Sequence, residues 1–337
     1  MKALFCGLGG IGQRHLRILQ TLVPDISVGA IRKKARSFEI DDNLEPDYEV
    51  DLVKKYDLTT FSSLEEGLEF KPDFAIVSNP TSLHIKTTTG LIKNKVPVLM
   101  EKPVSDNELG LTELVELSAE MKTPIMVGYM MRFNPFAGKL YEYLEKEVLG
   151  RIYSVIVIVN SYMPSWHQYE SYSEFYAGMK SLGGGVVLTE IHEIDLLNWF
   201  FGPPESISAV GGKLSRLNID VEDTVSVLMS QRRNNKIFSI SINMSFVQKA
   251  PDRQFIIFGE NGKIEWNISE NWLKLADYEH DNHENCQFPH FERNDMFKKQ
   301  MKHFLDCLTS GKTPITSLEN VLSGHITALR IKKTLDL

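Results

Sequence analysis

The pattern of apolar and polar positions divides the chain into two parts. Up to about residue 125, short apolar runs alternate with amphipathic helical stretches such as 82–94 and 107–121. The runs that predict strands lie at 3–6, 27–31, 74–78, 96–100 and 125–128. Short apolar strands that alternate with helices are typical of a parallel sheet covered on both faces. The first part therefore reads as an α/β domain over residues 1–125.

After about residue 150 the apolar runs are longer and helices interrupt them less often. They lie at 152–160, 224–230, 237–246 and 254–258, and several alternate apolar with polar residues. Such alternation predicts an antiparallel sheet with one wetter face. Helical patterns return at 296–308 and 318–335. The second part is predicted to be an α+β domain over 126–337, with a C-terminal helix that can pack back on the first domain.

Composition narrows the class of protein. The chain has 337 residues with 42% hydrophobic and 24% charged positions, which fits a globular protein of about two domains. A net charge of -7 without a long basic run argues against a nucleic-acid partner. No apolar run approaches the roughly 18 residues of a membrane span, and three distant cysteines imply no disulfide framework. We expect a cytoplasmic location without a membrane partner.

The first strand leads directly into a glycine pattern and then a helix. Gly7 would allow the tight turn, Gly9 the close approach of a pyrophosphate, and Gly12 close packing of helix on strand. The helix start, with Gly10 and Ile11, would offer free N–H groups to the anion. Such glycines alone also mark flexible turns, but their place between strand and helix favours dinucleotide binding.

The end of the second strand bears on the choice of cofactor. An acidic residue there suits the ribose hydroxyl of NAD, whereas arginine suits the 2′-phosphate of NADP. Here Ile31 is followed by Arg32, Lys33 and Lys34, with Arg36 close behind. We therefore favour NADP, with NAD as the alternative, and place Arg32 and Lys33 in the cofactor site. A solvated basic loop is the other interpretation.

Polar residues follow the third strand, at the sheet edge where open α/β sheets bind ligands. Ser78, Asn79 and Pro80 end that strand, and His84 lies in the first turn of the next helix. We predict that Ser78, Asn79 and Pro80 line the cofactor site. His84 either lines the cofactor site with them or has only a structural role in its helix.

The fourth strand ends in Glu101, Lys102 and Pro103. A lysine at this edge can act as a point charge for a substrate oxygen, or as a proton donor if burial lowers its pKa. A surface lysine after a strand is the alternative. Glu101 and Lys102 are both predicted to contact the cofactor.

Three glycines precede a helical stretch that contains His192 and Asp195 and ends near Gly202. Residues three apart lie on one helix face. Histidine is suited to take a proton from an alcohol while hydride leaves its carbon. A helical histidine alone is more often structural, but Lys102 upstream favours a catalytic role.

These residues together resemble the Gfo/Idh/MocA oxidoreductases, the glucose–fructose oxidoreductase and inositol dehydrogenase group. The resemblance covers nearly the whole chain and rests on Gly7-x-Gly9-x-x-Gly12, Asn79-Pro80-Thr81-x-x-His84, Glu101-Lys102-Pro103, Gly128-Tyr-Met-Met-Arg132-Phe-Asn-Pro135 and the stretch from Gly183 to Asp195. It implies a Rossmann domain, a C-terminal domain with a large mostly antiparallel sheet, NAD(P), and redox chemistry at a sugar or cyclitol carbon.

By this resemblance Lys102 and His192 carry the proton chemistry, and Asp195 positions His192 or the substrate. The chain departs from the family at one point. Relatives commonly place an aspartate one turn before the histidine, where Thr189 lies close by in this chain. Threonine can hydrogen-bond a substrate hydroxyl but cannot be a base, which weakens the analogy with inositol dehydrogenases.

Other residues are candidates for substrate binding. Tyr129 and Arg132 follow the last strand of the first domain, and Arg132 could anchor a carboxylate or phosphate. The aromatic segment 162–176, which includes Trp166, could stack on sugar rings or simply pack on the sheet. No metal site is expected, because His280, His283, Cys286 and His290 match no zinc pattern and lie in a polar, loop-like segment.

The sequence thus predicts an NAD(P)-dependent oxidoreductase that moves hydride to or from a ring carbon of a sugar, sugar acid or nucleotide sugar. Two alternatives stay open: a lyase or glycosidase that uses bound NAD transiently, and a non-enzymatic NADP-sensing regulator. Apolar positions on the C-terminal strands, with Ile156, Ile158 and Ile242 among them, predict a homodimer or homotetramer.

Overall fold

The computed structural model describes residues 1–32, 38–167 and 169–335. Its helices are α1 (Gly10–Leu22), α2 (Leu52–Lys55), α3 (Leu64–Glu69), α4 (His84–Lys93), α5 (Leu111–Met121), α6 (Pro135–Glu145), α7 (Val186–Thr189), α8 (His192–Phe201), α9 (Arg293–Ser310) and α10 (Leu318–Thr334). Its strands are β1 (Lys2–Cys6), β2 (Ser27–Ile31), β3 (Glu39–Ile40), β4 (Pro46–Asp47), β5 (Thr59–Phe61), β6 (Phe74–Val77), β7 (Val98–Met100), β8 (Ile125–Val127), β9 (Ile152–Tyr162), β10 (Ser206–Gly212), β11 (Thr224–Arg233), β12 (Lys236–Ser245), β13 (Val247–Gly259), β14 (Gly262–Asn267), β15 (Trp272–Asp277) and β16 (Asn282–Cys286).

The N-terminal sheet is parallel, which confirms the predicted Rossmann fold. Its six strands run in the order β5-β2-β1-β6-β7-β8. The central strands are short and apolar because helices cover both faces, and all four residues of β6 are buried. The strand order reverses between β1 and β6, and ligands bind at such a switch point in open α/β sheets. Strand β5 was missed, since its two threonines form no apolar run.

The C-terminal sheet is large and mostly antiparallel, also as predicted. Its eight strands run in the order β10-β11-β12-β9-β13-β14-β15-β16, and only β12 and β9 pair in parallel among the named strands. The expectation of a loop around His283 and Cys286 is wrong. Both lie in the edge strand β16, where backbone pairing with β15 forms a strand although the side chains are polar.

One face of this sheet is covered and the other is open. Helices α7, α8 and α10 contact its strands, whereas apolar side chains on the other face are exposed, namely Tyr153, Ile156, Val210, Leu228, Ile237 and Phe258. Ile158 is half-buried. The expectation for Ile242 is wrong, because the alternation of β12 turns its side chain to the covered face, where it is 2% exposed.

The last two helices, α9 and α10, contact elements of both parts of the chain. Helix α9 packs on α1, and α10 packs on α8 and β8. Thr316 donates a hydrogen bond from its hydroxyl to the Val127 carbonyl at 2.8 Å, and Ser317 bridges to Met126. We propose a domain boundary near residue 125, with these C-terminal helices packed back on the first domain.

Candidate active site

The glycine turn is closed on one side and open on the other. Gly7 has φ +105°, and a Cβ there would lie 2.8 Å from the Ser78 carbonyl oxygen. A Cβ on Gly12 would lie 2.7 Å from the carbonyl oxygen of Gly7, to which the Ser78 hydroxyl donates at 2.9 Å. Gly9, in contrast, has no described atom within 4 Å of its Cβ position. This open side could admit a pyrophosphate.

The start of α1 has the properties that an anion requires. Its N-cap residue, Gly9, supplies no side chain to the first N–H groups. Gly10 begins the helix, and Ile11 is half-buried against the core. Because unpaired N–H groups and the helix dipole favour negative charge, these residues fit the pyrophosphate of NAD(P).

The basic residues after β2 are only partly described. The Arg32 amide donates to the Phe61 carbonyl at 3.2 Å, and burial lowers the pKa of Arg32 although Asp51 opposes this effect. Lys33, Lys34 and Arg36 lie outside the described residues. The preference for NADP therefore stays a prediction.

His84 joins two loops of the site and has little access to solvent. Its side chain contacts the Asn79 carbonyl through Nε2 at 2.9 Å and the Pro103 carbonyl through Nδ1 at 2.7 Å. Burial lowers the pKa of His84. The Asn79 amide donates to Thr87 at 2.9 Å, and Pro80 precedes a short 3₁₀ turn that ends the strand. His84 thus positions the loops after β6 and β7.

Glu101 connects α1 to the end of β7. Its Oε1 lies 2.7 Å from Nε2 of His15, and both side chains are buried. Its Oε2 accepts from the Lys102 amide at 3.2 Å. The role of His15 was missed, because a buried histidine in an amphipathic helix has no sequence signal of its own. Glu101 therefore holds the turn that carries Lys102.

Lys102 brings the two domains together. Its ammonium group donates to the Thr189 carbonyl at 2.6 Å, 87 positions along the chain, and the peptide bond to Pro103 is cis. Burial lowers the pKa of Lys102, while the carboxylates of Glu190 and Glu101 act in the opposite direction. The alternative of a free surface lysine therefore does not hold.

The structure has two helices, α7 and α8, where the sequence predicted one, and His192 is the first residue of α8. Its side chain is buried, and the ring of Tyr129 stands edge-on at 6.0 Å. Burial lowers the pKa of His192 well below its usual value, and the charges of Lys102, Arg253 and Arg293 add to this effect. His192 is therefore neutral at pH 7 and can accept a proton.

Three buried polar atoms around His192 have no hydrogen-bond partner among the described residues. They are Nδ1 of His192, the hydroxyl of Thr189 and the hydroxyl of Tyr129. Unpaired buried polar groups are costly, and native proteins rarely retain them without a reason. A substrate with hydroxyl groups would satisfy such atoms.

Arg132 and Asp195, both expected at the substrate site, form a buried ion pair with each other. Arg132 donates to both carboxylate oxygens of Asp195, at 2.8 and 2.7 Å, and both side chains are buried. The guanidinium also lies over the Trp199 ring at 5.6 Å. Because two guanidinium nitrogens of Arg132 already donate to the Asp195 carboxylate, Arg132 is not free to anchor a substrate anion.

Two further charged residues near the site were missed. Arg253 on β13 pairs with both oxygens of the Glu193 carboxylate, with one contact at 2.8 Å, and lies 3.8 Å from Glu190. Arg293 is the first residue of α9 and is exposed. Neither lies in a motif, and only the fold brings them to His192.

The aromatic segment serves mainly the sheet. Trp166 packs edge-on against Phe246 at 5.1 Å, as the structural interpretation expects. Tyr169 instead reaches the cofactor helix, since its hydroxyl lies 2.8 Å from the Cβ position of Gly10. Stacking of Trp166 on a sugar stays a prediction.

Two searches of the described residues concern metal ligands and membrane-spanning helices. They contain no cluster of three His, Cys, Asp or Glu side chains that could hold a metal ion. His280 contacts Asp277 at 2.9 Å. In the same part of the chain, no helix is both long and apolar enough to cross a membrane.

Sequence comparisons find relatives that are dehydrogenases or oxidoreductases. Myo-inositol 2-dehydrogenase of Thermotoga maritima is 24% identical over 272 residues, which cover 78% of each chain. The putative oxidoreductase YteT of Bacillus subtilis is 27% identical over 142 residues, which cover 42% of this chain but only 33% of that protein.

Solved structures share the fold over the whole chain. The WlbA dehydrogenase of Bordetella pertussis, in complex with NADH and UDP-GlcNAcA, has a TM-score of 0.79 at 20% identity and covers 99% of this chain and 96% of its own. Myo-inositol 2-dehydrogenase of Lactobacillus plantarum has a TM-score of 0.77 at 18% identity, with 100% and 97% covered.

Family matches cover both domains. Residues 1–129 match the oxidoreductase family with an NAD-binding Rossmann fold, and residues 138–265 match the GFO/IDH/MocA C-terminal domain. The two matches follow the order and the sheet types described above. The chain therefore belongs to the GFO/IDH/MocA family of NAD-binding oxidoreductases.

Proposed function

We propose that the protein is an NAD(P)-dependent dehydrogenase that acts on a CH–OH carbon of a sugar or sugar-like compound. One observation carries this proposal. Lys102 from the first domain and neutral His192 from the second meet around Thr189, next to unpartnered polar atoms. Relatives named as inositol or UDP-sugar dehydrogenases are in accord with it.

The residues of this chain divide the work of the reaction. NAD(P), when held by the glycine turn, supplies the hydride acceptor. As the carbon loses hydride, its hydroxyl loses a proton, and His192 accepts that proton because its ring is neutral. Lys102 stabilises the negative charge that develops on the oxygen. Thr189 and Tyr129 offer hydroxyl groups for positioning the substrate.

The test is turnover at 340 nm with a panel of sugars, polyols and sugar acids. We expect Lys102→Met and His192→Gln to lower kcat/KM by about 10²- to 10⁴-fold, while the affinity for the cofactor is retained. Lys298→Gln and His283→Gln are matched controls, because both side chains are exposed at the surface. Unchanged turnover in both active-site variants would overturn the proposal.

The same assay separates the two alternatives. A lyase or glycosidase would consume substrate without a net change in absorbance and would retain its cofactor through purification. A sensor would turn over none of the panel and would change its binding to a partner with the ligand. Either result would replace the dehydrogenase proposal.

We further propose that NADP is preferred over NAD, with Arg32 at the 2′-phosphate. The support is the basic end of β2, where the sequence has no carboxylate between Ile31 and Glu39. Arg32→Ala should weaken binding of NADPH and leave binding of NADH unchanged. Equal losses for both cofactors would contradict this preference.

We also propose self-association through the open face of the C-terminal sheet. The exposed Tyr153, Leu228 and Ile237 form an apolar surface around a shallow cavity of about 550 Å³. Leu228→Glu should convert a dimer or tetramer to a smaller species in light scattering. A monomeric wild-type protein would overturn this proposal.

A further inference from the structure

Several cations surround the candidate site, together with the carboxylates of Glu101, Glu190 and Glu193. Lys102, Arg253 and Arg293 all act on the imidazole of His192, although they come from three separate parts of the chain. Arg14, on α1, acts in turn on Arg293. The Arg14 guanidinium also donates to the side-chain oxygen of Asn294 at 3.5 Å, which places it beside the residue that follows Arg293.

Most of these cations already have partners. Arg253 is held by both oxygens of Glu193, and Lys102 donates to the Thr189 carbonyl. The Arg14 guanidinium donates to the Asp42 carbonyl at 2.6 Å and lies over the Phe297 ring at 5.0 Å. Their positions are therefore set by the protein itself.

Arg293 is different. It is exposed, and no described residue gives its side chain a hydrogen bond or an ion pair. The acidic side chains beside it are engaged, since Glu292 and Asp295 cap the start of α9. Burial of part of the side chain lowers the pKa of Arg293 to about 10, and repulsion by Arg14 and Arg253 adds to this effect. The charge of Glu190 acts in the opposite direction.

The two neighbouring guanidinium groups raise the free energy of the charged Arg293, and Glu190, which opposes them, lies 3.8 Å from Arg253. Helix α9 packs on α1, so Arg293 is carried on a rigid element next to the cofactor helix. An arginine fork binds carboxylates and phosphates in a bidentate manner. Helix α9 also packs on the turn 130–133, which follows Tyr129, and the Tyr129 ring contacts His192. A ligand at His192 can therefore extend toward the start of α9.

We propose that Arg293 binds an anionic group of the substrate, either a carboxylate or a phosphate, so that the enzyme prefers acidic over neutral sugars. This proposal rests on the proposed function, because it assigns the ligand of the same site. It moves the anion anchor from Arg132, where the sequence suggested it, to a residue whose side chain has no partner among the described residues.

The test is calorimetric binding to the complexes with NADH and with NADPH. The probes are matched pairs: D-glucuronate or D-glucose 6-phosphate against D-glucose, and L-tartrate against L-threitol. We expect the wild-type protein to bind at least one acid about tenfold or more tightly than its neutral counterpart. Arg293→Gln should abolish this preference and Arg293→Lys should keep part of it.

Lys298→Gln is the control, because it removes an exposed positive charge from the same helix. It should leave the preference intact. The acid that loses most affinity in Arg293→Gln tells carboxylate from phosphate. The proposal is overturned if the wild-type protein shows no preference for any acid, which includes no binding of any probe, or if Arg293→Gln keeps the preference.

A third outcome would also overturn it. If Arg293→Gln weakens binding of NADH or NADPH in the absence of sugar as much as it weakens binding of the acid, Arg293 belongs to the cofactor site. The binding assay needs no turnover. Failure of the dehydrogenase proposal, seen with the Lys102 and His192 variants, is therefore distinguishable from failure of this one.

Discussion

Two carboxylates of helix α8 pair with arginines, and the two pairs differ in their exposure to solvent. In the first, Arg132 and Asp195 form a bidentate pair whose side chains are 7% and 0% exposed. In the second, Glu193 is fully buried but Arg253 is 23% exposed. Arg253 also acts on the charge of Arg293, which has no partner among the described residues. One pair lies within the protein, and the other borders the site.

The difference teaches which arginine is available to a ligand. A buried bidentate pair has satisfied its donors and acceptors, so it holds Arg132 and α8 in place. A partly open cluster retains donors for a ligand, here the guanidinium of Arg293, which has no partner among the described residues. The sequence alone could not separate the two, because Arg132 lies in a recognisable motif and Arg293 does not.

The closed pair should be the more costly to break. Arg132→Met leaves the buried carboxylate of Asp195 without a partner, and we expect the free energy of unfolding to fall by about 3–5 kcal/mol. Urea unfolding at pH 7 measures it. The control is Arg232→Gln, because Arg232 pairs with Glu205 at the surface, where such a pair contributes about 1 kcal/mol or less.

If Arg132→Met and Arg232→Gln cost the same, the buried pair is not a structural element and the contrast fails. The variant Arg132→Met with Asp195→Leu sharpens the result. Since it removes both charges, it should recover part of the loss, as apolar replacements of buried ion pairs often do. No recovery would point to lost packing rather than to an unpaired charge.

The glycine turn repeats the contrast between closed and open positions. Gly12→Ala would place a Cβ 2.7 Å from the Gly7 carbonyl, and we expect a loss of about 1–3 kcal/mol in the free energy of unfolding. Gly9→Ala meets no described atom within 4 Å and should leave stability unchanged while it weakens binding of NADPH. Thermal unfolding and fluorescence titration of the cofactor test both.

A Gly9→Ala variant that unfolds easily yet binds cofactor normally would reverse this assignment. The open side of the turn would then be a packing surface, and the pyrophosphate would need another place.

Much of the fold could be predicted because local patterns determine it. The alternation of apolar strands and helices identified the parallel sheet, and the longer apolar runs identified β9, β11, β12 and β13 of the second sheet. The strands β5 and β16 were missed because both are polar and form through backbone pairing with a neighbour. The short strands β10 and β15 were also not predicted. Local composition does not encode such edges.

The candidate site was predictable only in part. Lys102 and His192 lie in recognisable motifs, and the structure brings their loops together. The partner of Arg132 was not predictable, because Asp195 lies 63 positions along the chain. Arg293 and His15 acquire their importance from the packing of α9 and α1, which no local pattern records.

The buried state of His192 should appear in the pH dependence of stability. Its pKa lies well below the ordinary 6.5, so the unfolded chain gains a proton below that pH and the folded protein does not. Stability is therefore lost as the pH falls below about 6.5. Between pH 6 and 5 the wild-type protein should lose about 1 kcal/mol more per pH unit than His192→Gln.

Urea unfolding at several pH values measures this difference. His84 and His325 also have lowered pKa values, but they are present in both proteins and cancel. His283→Gln, at an exposed position, should behave as the wild type. Equal slopes in wild type and His192→Gln would mean that His192 is open to protons in the folded protein.

The smallest expected effect links the open cluster to the proton acceptor. Arg293 is one of the charges that lower the pKa of His192, so Arg293→Gln should raise that pKa. Because kcat/KM requires the neutral ring, its fall at acid pH should move to higher pH by about half a unit. Added salt should reduce this difference between variant and wild type, and Lys298→Gln should show none. If the fall in kcat/KM moves to lower pH, or does not move at low salt, Arg293 lies too far from His192 for one ligand to bridge them. The contrast between Arg293 and Arg132 would then have no functional meaning.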